Sequence, residues 1–95
     1  METRKRILIV DDEEDICNIL SFNLEKAGYD TRIVHSAEEA LTSGVNGYDL
    51  ILLDIMMEGI SGLKMAEMMK KNPDTAKIPI IFISSLLSDV PLFIS

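Results

Sequence analysis

The residues best suited to chemistry in this sequence are oxygen-bearing side chains that follow apolar runs. Asp11 and Asp12 directly follow "ILIV", Asp54 directly follows "LILL", and Ser84 directly follows "IIFI". Carboxylate oxygens are ligands that hard cations such as Mg²⁺ prefer, and a carboxylate can also accept a phosphoryl group covalently. Whether these residues act together depends on the elements that carry them.

The apolar pattern predicts four strands that alternate with three helices. The predicted strands are the apolar segments "RILIV", "YDTRIVH", "YDLILLDI" and "IPIIFIS". Between them, apolar residues recur at helical spacing. The first helix is predicted to end at Gly28, and the second to begin with the capping pair Ser36 and Glu39 and to end near Gly44. Alternating strands and helices predict an α/β fold, a parallel sheet with helices on both faces.

Several residues on these elements have a plain structural interpretation. Met65, Met68 and Met69 lie on the third helix and are predicted to fill the core. Cys17 is the only cysteine, so it cannot form an internal disulfide, and it is predicted to be a small buried residue. His35, the only histidine, is predicted to lie at the end of the second strand, away from the acids.

Length and composition restrict the class of protein. The 95 residues are enough for a single domain, 1–95, and 47% hydrophobic with 26% charged residues is typical of a globular chain. The net charge of −7 argues against direct nucleic-acid binding by this segment. No apolar run approaches the roughly 20 residues of a membrane span, and no secretory apolar core follows "METRKR". The sequence therefore predicts a cytoplasmic protein without a membrane partner.

The predicted sheet brings the polar strand ends to one edge, where open α/β sheets bind ligands. Carboxylates that meet there repel one another and raise the pKa of at least one of them. A Mg²⁺ ion relieves this repulsion and usually binds a phosphate as well, so the cluster predicts a Mg²⁺ site and, through it, a phosphoryl group. The alternative is that Asp11 and Asp12 cap the first helix and Asp54 caps a loop.

The motifs "ILIVDDEED", "YDLILLDIMMEGISGL" and "IPIIFIS" together resemble the receiver domain of two-component response regulators, over about residues 6–85. The resemblance implies a flavodoxin-like fold and transfer of a phosphoryl group from a sensor histidine kinase to Asp54. It implies that Asp12, Asp54 and the backbone carbonyl of Met56 bind Mg²⁺, and that Asp11 acts through water. Ser84 would hydrogen-bond the phosphoryl group. Such a module assists its own phosphorylation and dephosphorylation and is not a turnover enzyme.

The end of the chain departs from the family pattern. The family continues with a helix, a fifth strand that bears a Lys, and a last helix, whereas this chain ends at Ser95 and has no Lys after Lys77. The sequence therefore predicts a C-terminally truncated receiver with strand order 2-1-3-4, an atypical tail at 86–95, and a fifth strand that is absent or supplied by another copy. "VPLFIS" lies too close to the fourth strand for a parallel crossover. It can begin a helix, stay loose, pair antiparallel or reach into another copy.

Three functions follow from these features. The first is the Mg²⁺-dependent phosphoacceptor. The second is an unphosphorylated interaction module or an inactive receiver fragment, which forms a homo-oligomer through the exposed edge of the fourth strand and the tail. The third, a phosphatase with an Asp nucleophile, is disfavoured because such enzymes have a second acid two residues later, where this chain has Met56.

Overall fold

The computed structural model describes residues 4–83 and, for the backbone only, residues 93–94. Its elements in chain order are β1 (Arg6–Val10), α1 (Glu14–Lys26), β2 (Asp30–Val34), α2 (Ala37–Ser43), β3 (Leu50–Asp54), α3 (Gly62–Lys71), β4 (Ile80–Ile83) and β5 (Phe93–Ile94). The four predicted strands and three predicted helices are confirmed.

One sheet holds all the described strands, in the order β2-β1-β3-β4-β5. The pairs β2–β1, β1–β3 and β3–β4 are parallel. This confirms the predicted strand order 2-1-3-4. Parallel pairing directs the carboxyl ends of β1, β3 and β4 to the same edge, where Asp54 pairs with Ile83.

A short fifth strand corrects the prediction for the tail. Phe93–Ile94 pairs antiparallel with β4, with Ile94 opposite Ile81 and Phe93 opposite Phe82. The chain therefore supplies a fifth strand itself. Of the four possibilities for the tail, its described residues, 93–94, adopt antiparallel pairing. An antiparallel partner can return through a short connection, whereas a parallel partner needs a long crossover. As a result, β4 is not the outer strand of the sheet.

The core lies on both faces of the sheet because neighbouring residues of a strand point to opposite faces. On one face, β1 and β3 side chains pack with α2 and α3; this cluster includes Leu8, Val10, Ile51, Leu53, Ala37, Ala40, Met65 and Met69. On the other face, Ile7, Ile9 and Leu52 form a second cluster with Cys17 of α1. The two central strands are therefore buried on both sides, as the continuous apolar runs predicted.

The helices follow the predicted pattern with three exceptions in burial, one of which is Leu63, a helically spaced apolar residue of α3 that is 57% exposed. Met65, Met69 and Cys17 are buried as predicted, but Met68 is 40% exposed, so its assignment to the core is wrong. Ile19, one of the helically spaced apolar residues of α1, is 59% exposed. Among the described residues, no helix has the length and apolar character that crossing a bilayer requires.

Candidate functional site

The carboxyl ends of β1 and β3 bring three acids together. Ligand oxygens of Asp11, Asp12 and Asp54 all lie within 4.8 Å of one another. Asp11 and Asp54 are buried, with 0% and 1% exposure, whereas Asp12 is exposed. These three residues form the acidic pocket, in which Asp11 and Asp54 are buried and Asp12 faces solvent.

The strand register accounts for this arrangement. Val10 lies opposite Leu53 in the β1–β3 pair, so Asp11 and Asp54 leave the sheet side by side. The backbone N–H of Asp11 donates to the carbonyl of Val34 at 3.1 Å, which extends the pairing of β1 and β2 as far as this acid. The two buried acids are therefore held by the sheet itself rather than by a free loop.

Asp11 is held by further contacts on its side chain and its carbonyl. Its Oδ1 accepts a hydrogen bond from the Glu13 backbone N–H at 2.8 Å. Its backbone oxygen accepts from Cys17 Sγ at 3.2 Å and lies 3.0 Å from Nδ1 of His35. Because a carbonyl oxygen can only accept, Nδ1 carries the proton in this contact. The prediction that His35 lies away from the acids is therefore wrong.

The acidic pocket is electrostatically unfavourable without a cation. Burial raises the pKa of Asp11 from 3.8 to about 7; the bond from Glu13 opposes this rise, and the charge of Asp54 adds to it. The other carboxylate oxygen of Asp11, Oδ2, is buried and meets no hydrogen-bond donor within the described part of the chain. A proton on Asp11 supplies a donor for a hydrogen bond with the Asp54 carboxyl group.

Cys17 belongs to the structure of the pocket rather than to its chemistry. Burial, with a contribution from the nearby acids, raises the pKa of its thiol to about 11. The thiol therefore stays protonated at neutral pH and remains a donor to the Asp11 carbonyl.

The donor set of the acidic pocket fits a hard divalent cation. It consists of three carboxylates, one of which has a buried oxygen without a donor among the described residues. Mg²⁺ prefers oxygen ligands and keeps several waters, and the exposed Asp12 leaves a side through which water and an ion can enter. The site therefore fits Mg²⁺ by ligand type, charge and access.

The loop after Asp54 is packed tightly against the strand end. The backbone N–H of Met56 donates to Asp54 Oδ1 at 3.3 Å, and that of Gly62 donates to the carbonyl of Ile55 at 2.9 Å. A Cβ atom on Gly62 would overlap the carbonyl oxygen of Asp54 and would lie 2.8 Å from its carbonyl carbon. Only glycine lets α3 begin this close to the acid.

The start of α2 reaches the same region from the other side. Glu38 Oε2 accepts a hydrogen bond from the Ile60 backbone N–H at 3.1 Å.

Neither this contact nor the one made by His35 was predicted. For His35 a signal was present: it follows β2, and the carboxyl end of β2 lies at the same edge as those of β1 and β3. The predicted hydroxyl of Ser84 lies outside the described residues.

Comparisons with known proteins agree with this geometry. The family model for the response regulator receiver domain matches residues 7–92. The uncharacterized transcriptional regulatory protein YkoG of Bacillus subtilis is 39% identical over 80 residues, which cover 83% of this chain and 34% of that protein. The chain thus spans about a third of the length of the curated relatives it matches.

Solved structures show the same similarity. The N-terminal domain of a response regulator receiver protein from Methanoculleus marisnigri superposes with a TM-score of 0.81 at 36% identity, covering 87% of this chain and 68% of that one. A chain from the crystal structure of histidine kinase ThkA in complex with response regulator protein TrrA has a TM-score of 0.76 at 39% identity, covering 92% and 74%.

Proposed function

We propose a function for this chain, which belongs to the response regulator receiver domain family: it is a phosphoacceptor module of two-component signalling. The observation that carries the proposal is the buried Asp54, which lies within 4.8 Å of Asp11 and Asp12 at the carboxyl edge of the sheet. A phosphohistidine of a sensor histidine kinase is the donor. The similarity to a chain from a complex of a kinase with a response regulator supports this choice of partner.

Asp54 is the acceptor in this proposal. A carboxylate oxygen of Asp54 forms a bond to phosphorus as the N–P bond of the phosphohistidine breaks, and the electron pair of that bond stays on the imidazole nitrogen. Asp11 is less suited to attack, because burial raises its pKa to about 7, so that a large share of it carries a proton at neutral pH. Asp12 is exposed and lacks the enclosure that excludes water from the product.

The other proposed roles concern the cation and the phosphoryl group. Asp12, Asp54 and the carbonyl of Met56 would bind Mg²⁺, with Asp11 acting through water. When bound, Mg²⁺ supplies positive charge that offsets the negative charge of the phosphoryl oxygens. Ser84 would hydrogen-bond those oxygens; the pairing of its neighbour Ile83 with Asp54 supports this role.

Phosphate incorporation tests the proposal. With Mg²⁺ and a small-molecule phosphodonor, intact mass spectrometry should show one added phosphate on the wild-type chain and none on Asp54→Asn. Asp15→Asn is the matched control, because it removes the same charge from an exposed acid of α1 that lies outside the acidic pocket. Equal incorporation into wild type and Asp54→Asn would show that Asp54 is not the acceptor.

A second candidate is an interaction module that associates with itself. Association through an unpaired edge of β4, which the sequence predicted, does not apply because β5 pairs with that edge. A different surface favours association: Ile19 and Phe22 lie one turn apart on α1 and are 59% and 67% exposed. Two large apolar side chains exposed side by side on one helix form a candidate contact surface.

Light scattering coupled to size-exclusion chromatography distinguishes this candidate. If the α1 surface mediates association, wild type at tens of micromolar should elute above the monomer mass, and Phe22→Ser should return it to the monomer. Leu63→Ser is the control, since Leu63 is similarly exposed, at 57%, but lies on α3. A monomeric wild type would exclude the candidate at that concentration.

A further inference from the structure

The junction between β2 and α2, with the first turn of α2, contacts the backbone on both sides of the acidic pocket. On one side, His35 Nδ1 lies 3.0 Å from the carbonyl oxygen of Asp11. On the other side, Glu38 Oε2 accepts the Ile60 N–H at 3.1 Å in the loop that follows Asp54. We infer that His35 and Glu38 are positioning residues that hold the two halves of the pocket at a set separation.

The glycine opposite Glu38 supports this inference. Gly59 has a φ of +76°, and a Cβ atom there would overlap Glu38 Oε2 and lie 3.2 Å from Cδ of the same side chain. Gly59 therefore serves two purposes, a left-handed backbone conformation and a close approach of the carboxylate.

The backbone that carries these two residues is restrained at the start of α2. Ser36 caps α2 by accepting the Glu39 N–H at 3.0 Å, and Glu39 Oε1 accepts the His35 N–H at 3.1 Å. Between them, Ala37 is fully buried in the core, which fixes the first turn of the helix against the sheet. The backbone of His35 is therefore restrained by bonds of its own, so its ring has a defined place from which to donate.

The loop that Glu38 holds is the one that contains Met56. Its near end is fixed by the bond from the Met56 N–H to Asp54 Oδ1 and by that from Gly62 to Ile55. The bond to Ile60 adds a restraint near its far end. Loss of Glu38 should therefore loosen the loop around Met56, and loss of His35 should loosen the Asp11–Asp12 peptide.

Amide hydrogen exchange and Mg²⁺ titration of the whole chain test the inference. In metal-free protein, Glu38→Ala should speed exchange at the Ile60 amide, while Glu38→Gln, which keeps an acceptor oxygen, should not. Glu58→Gln is the charge control, because it removes an exposed carboxylate from the same loop. The Mg²⁺ dissociation constant should rise roughly two- to tenfold in Glu38→Ala beyond the change in Glu58→Gln, the range expected for one lost hydrogen bond.

His35 is tested by rescue. His35→Ala should raise the Mg²⁺ dissociation constant by a similar factor and shift the ¹³C resonance of the Asp11 carbonyl in metal-free protein. His35→Asn places an N–H donor close to the position of Nδ1 and should restore both toward wild type. Unchanged Ile60 exchange in Glu38→Ala, or an Asp11 resonance and Mg²⁺ affinity in His35→Ala equal to those of wild type, would overturn the inference.

The inference rests on the proposed function only in taking the acidic pocket as the site. The two can fail separately, because the exchange rates and the carbonyl resonance are measured without metal or phosphodonor. If wild type takes up no phosphate but these signals change as expected, the proposed function fails and the positioning roles stand. If wild type is phosphorylated and the signals do not change, the positioning roles fail and the proposed function stands.

Discussion

Replacing Gly62 by alanine should destabilise the chain by about 2 kcal/mol or more and displace Asp54, the proposed phosphoacceptor. The added methyl group would overlap the carbonyl oxygen of Asp54 and lie 3.1 Å from Cα of Ile55. All of these are backbone atoms, so no side chain can turn aside to make room. Either α3 moves away from the sheet or the end of β3 bends. The melting temperature should fall by roughly 10 °C, as measured by circular dichroism.

The same variant should also lose Mg²⁺ affinity, which a general loss of stability does not explain. Gly28→Ala is the control, because Gly28 has a φ of +105° and an alanine there is strained, although no atom lies within 4 Å of the added Cβ. It follows α1 at the opposite end of the molecule from the acidic pocket. We expect both variants to melt earlier and only Gly62→Ala to bind Mg²⁺ more weakly. A Gly62→Ala protein with wild-type affinity would contradict the close packing of α3 on Asp54.

Replacing Asp11 by asparagine should stabilise the metal-free protein, and the gain should grow with pH. Burial raises the pKa of Asp11 to about 7 in the fold, above the ordinary value of 3.8 that applies to the unfolded chain. Below pH 3.8 the group is protonated in both states and costs nothing. Between the two values only the folded state keeps its proton, so each rise in pH lowers stability, and above pH 7 the full penalty is present. This penalty is on the order of 2–4 kcal/mol.

Thermal melts of wild type and Asp11→Asn from pH 4 to pH 8 measure this effect. The two melting temperatures should be similar near pH 4 and diverge by roughly 10 °C near pH 8, with the asparagine variant higher. The difference between variants is the informative quantity, because acids outside the acidic pocket titrate equally in both. A constant difference across this range would mean that Asp11 is ionised in the fold at low pH.

Mg²⁺ binding should depend on pH for the same reason. The ion requires ionised carboxylates, so its binding to wild type releases the proton of Asp11 below pH 7. The apparent affinity should therefore rise with pH up to about 7 and then level, and calorimetry in buffers of different ionisation enthalpy should detect the released proton. Asp15→Asn should retain this dependence and Asp11→Asn should lose it. Proton release in Asp11→Asn equal to that of wild type would assign the titration to another group.

The sequence was sufficient for the strands, the helices and the identity of the clustered acids. Continuous apolar runs indicated buried parallel strands, and their strict alternation with helically spaced segments indicated a parallel sheet with helices on both faces; its strand order was implied by the resemblance to receiver domains. Because parallel strands end at a common edge, acids at the ends of the first and third strands had to meet, and Asp11, Asp12 and Asp54 do lie within 4.8 Å. Apart from the strand order, each of these inferences needs only local periodicity and connectivity.

Residue spacing did not predict burial correctly where burial depends on which element packs against the helix. Helical periodicity placed Met68 and Ile19 on apolar faces, but whether a face is covered depends on the angle at which the helix packs, and both are exposed. The tail was open among four conformations because a short apolar segment has no periodicity that selects one. Its antiparallel pairing with β4 is a property of the assembled sheet.

The number and kind of the acids were therefore determined by the sequence, and their chemical state by the tertiary structure. Only the fold buries Asp11 beside Asp54 and raises its pKa to about 7. Only the fold brings Gly62 onto the carbonyl of Asp54, and His35 and Glu38 onto the two sides of the pocket. A sequence pattern indicates only on which face of its own helix or strand a residue lies. Distances between residues far apart in the chain depend on how all the elements pack, which no local pattern contains.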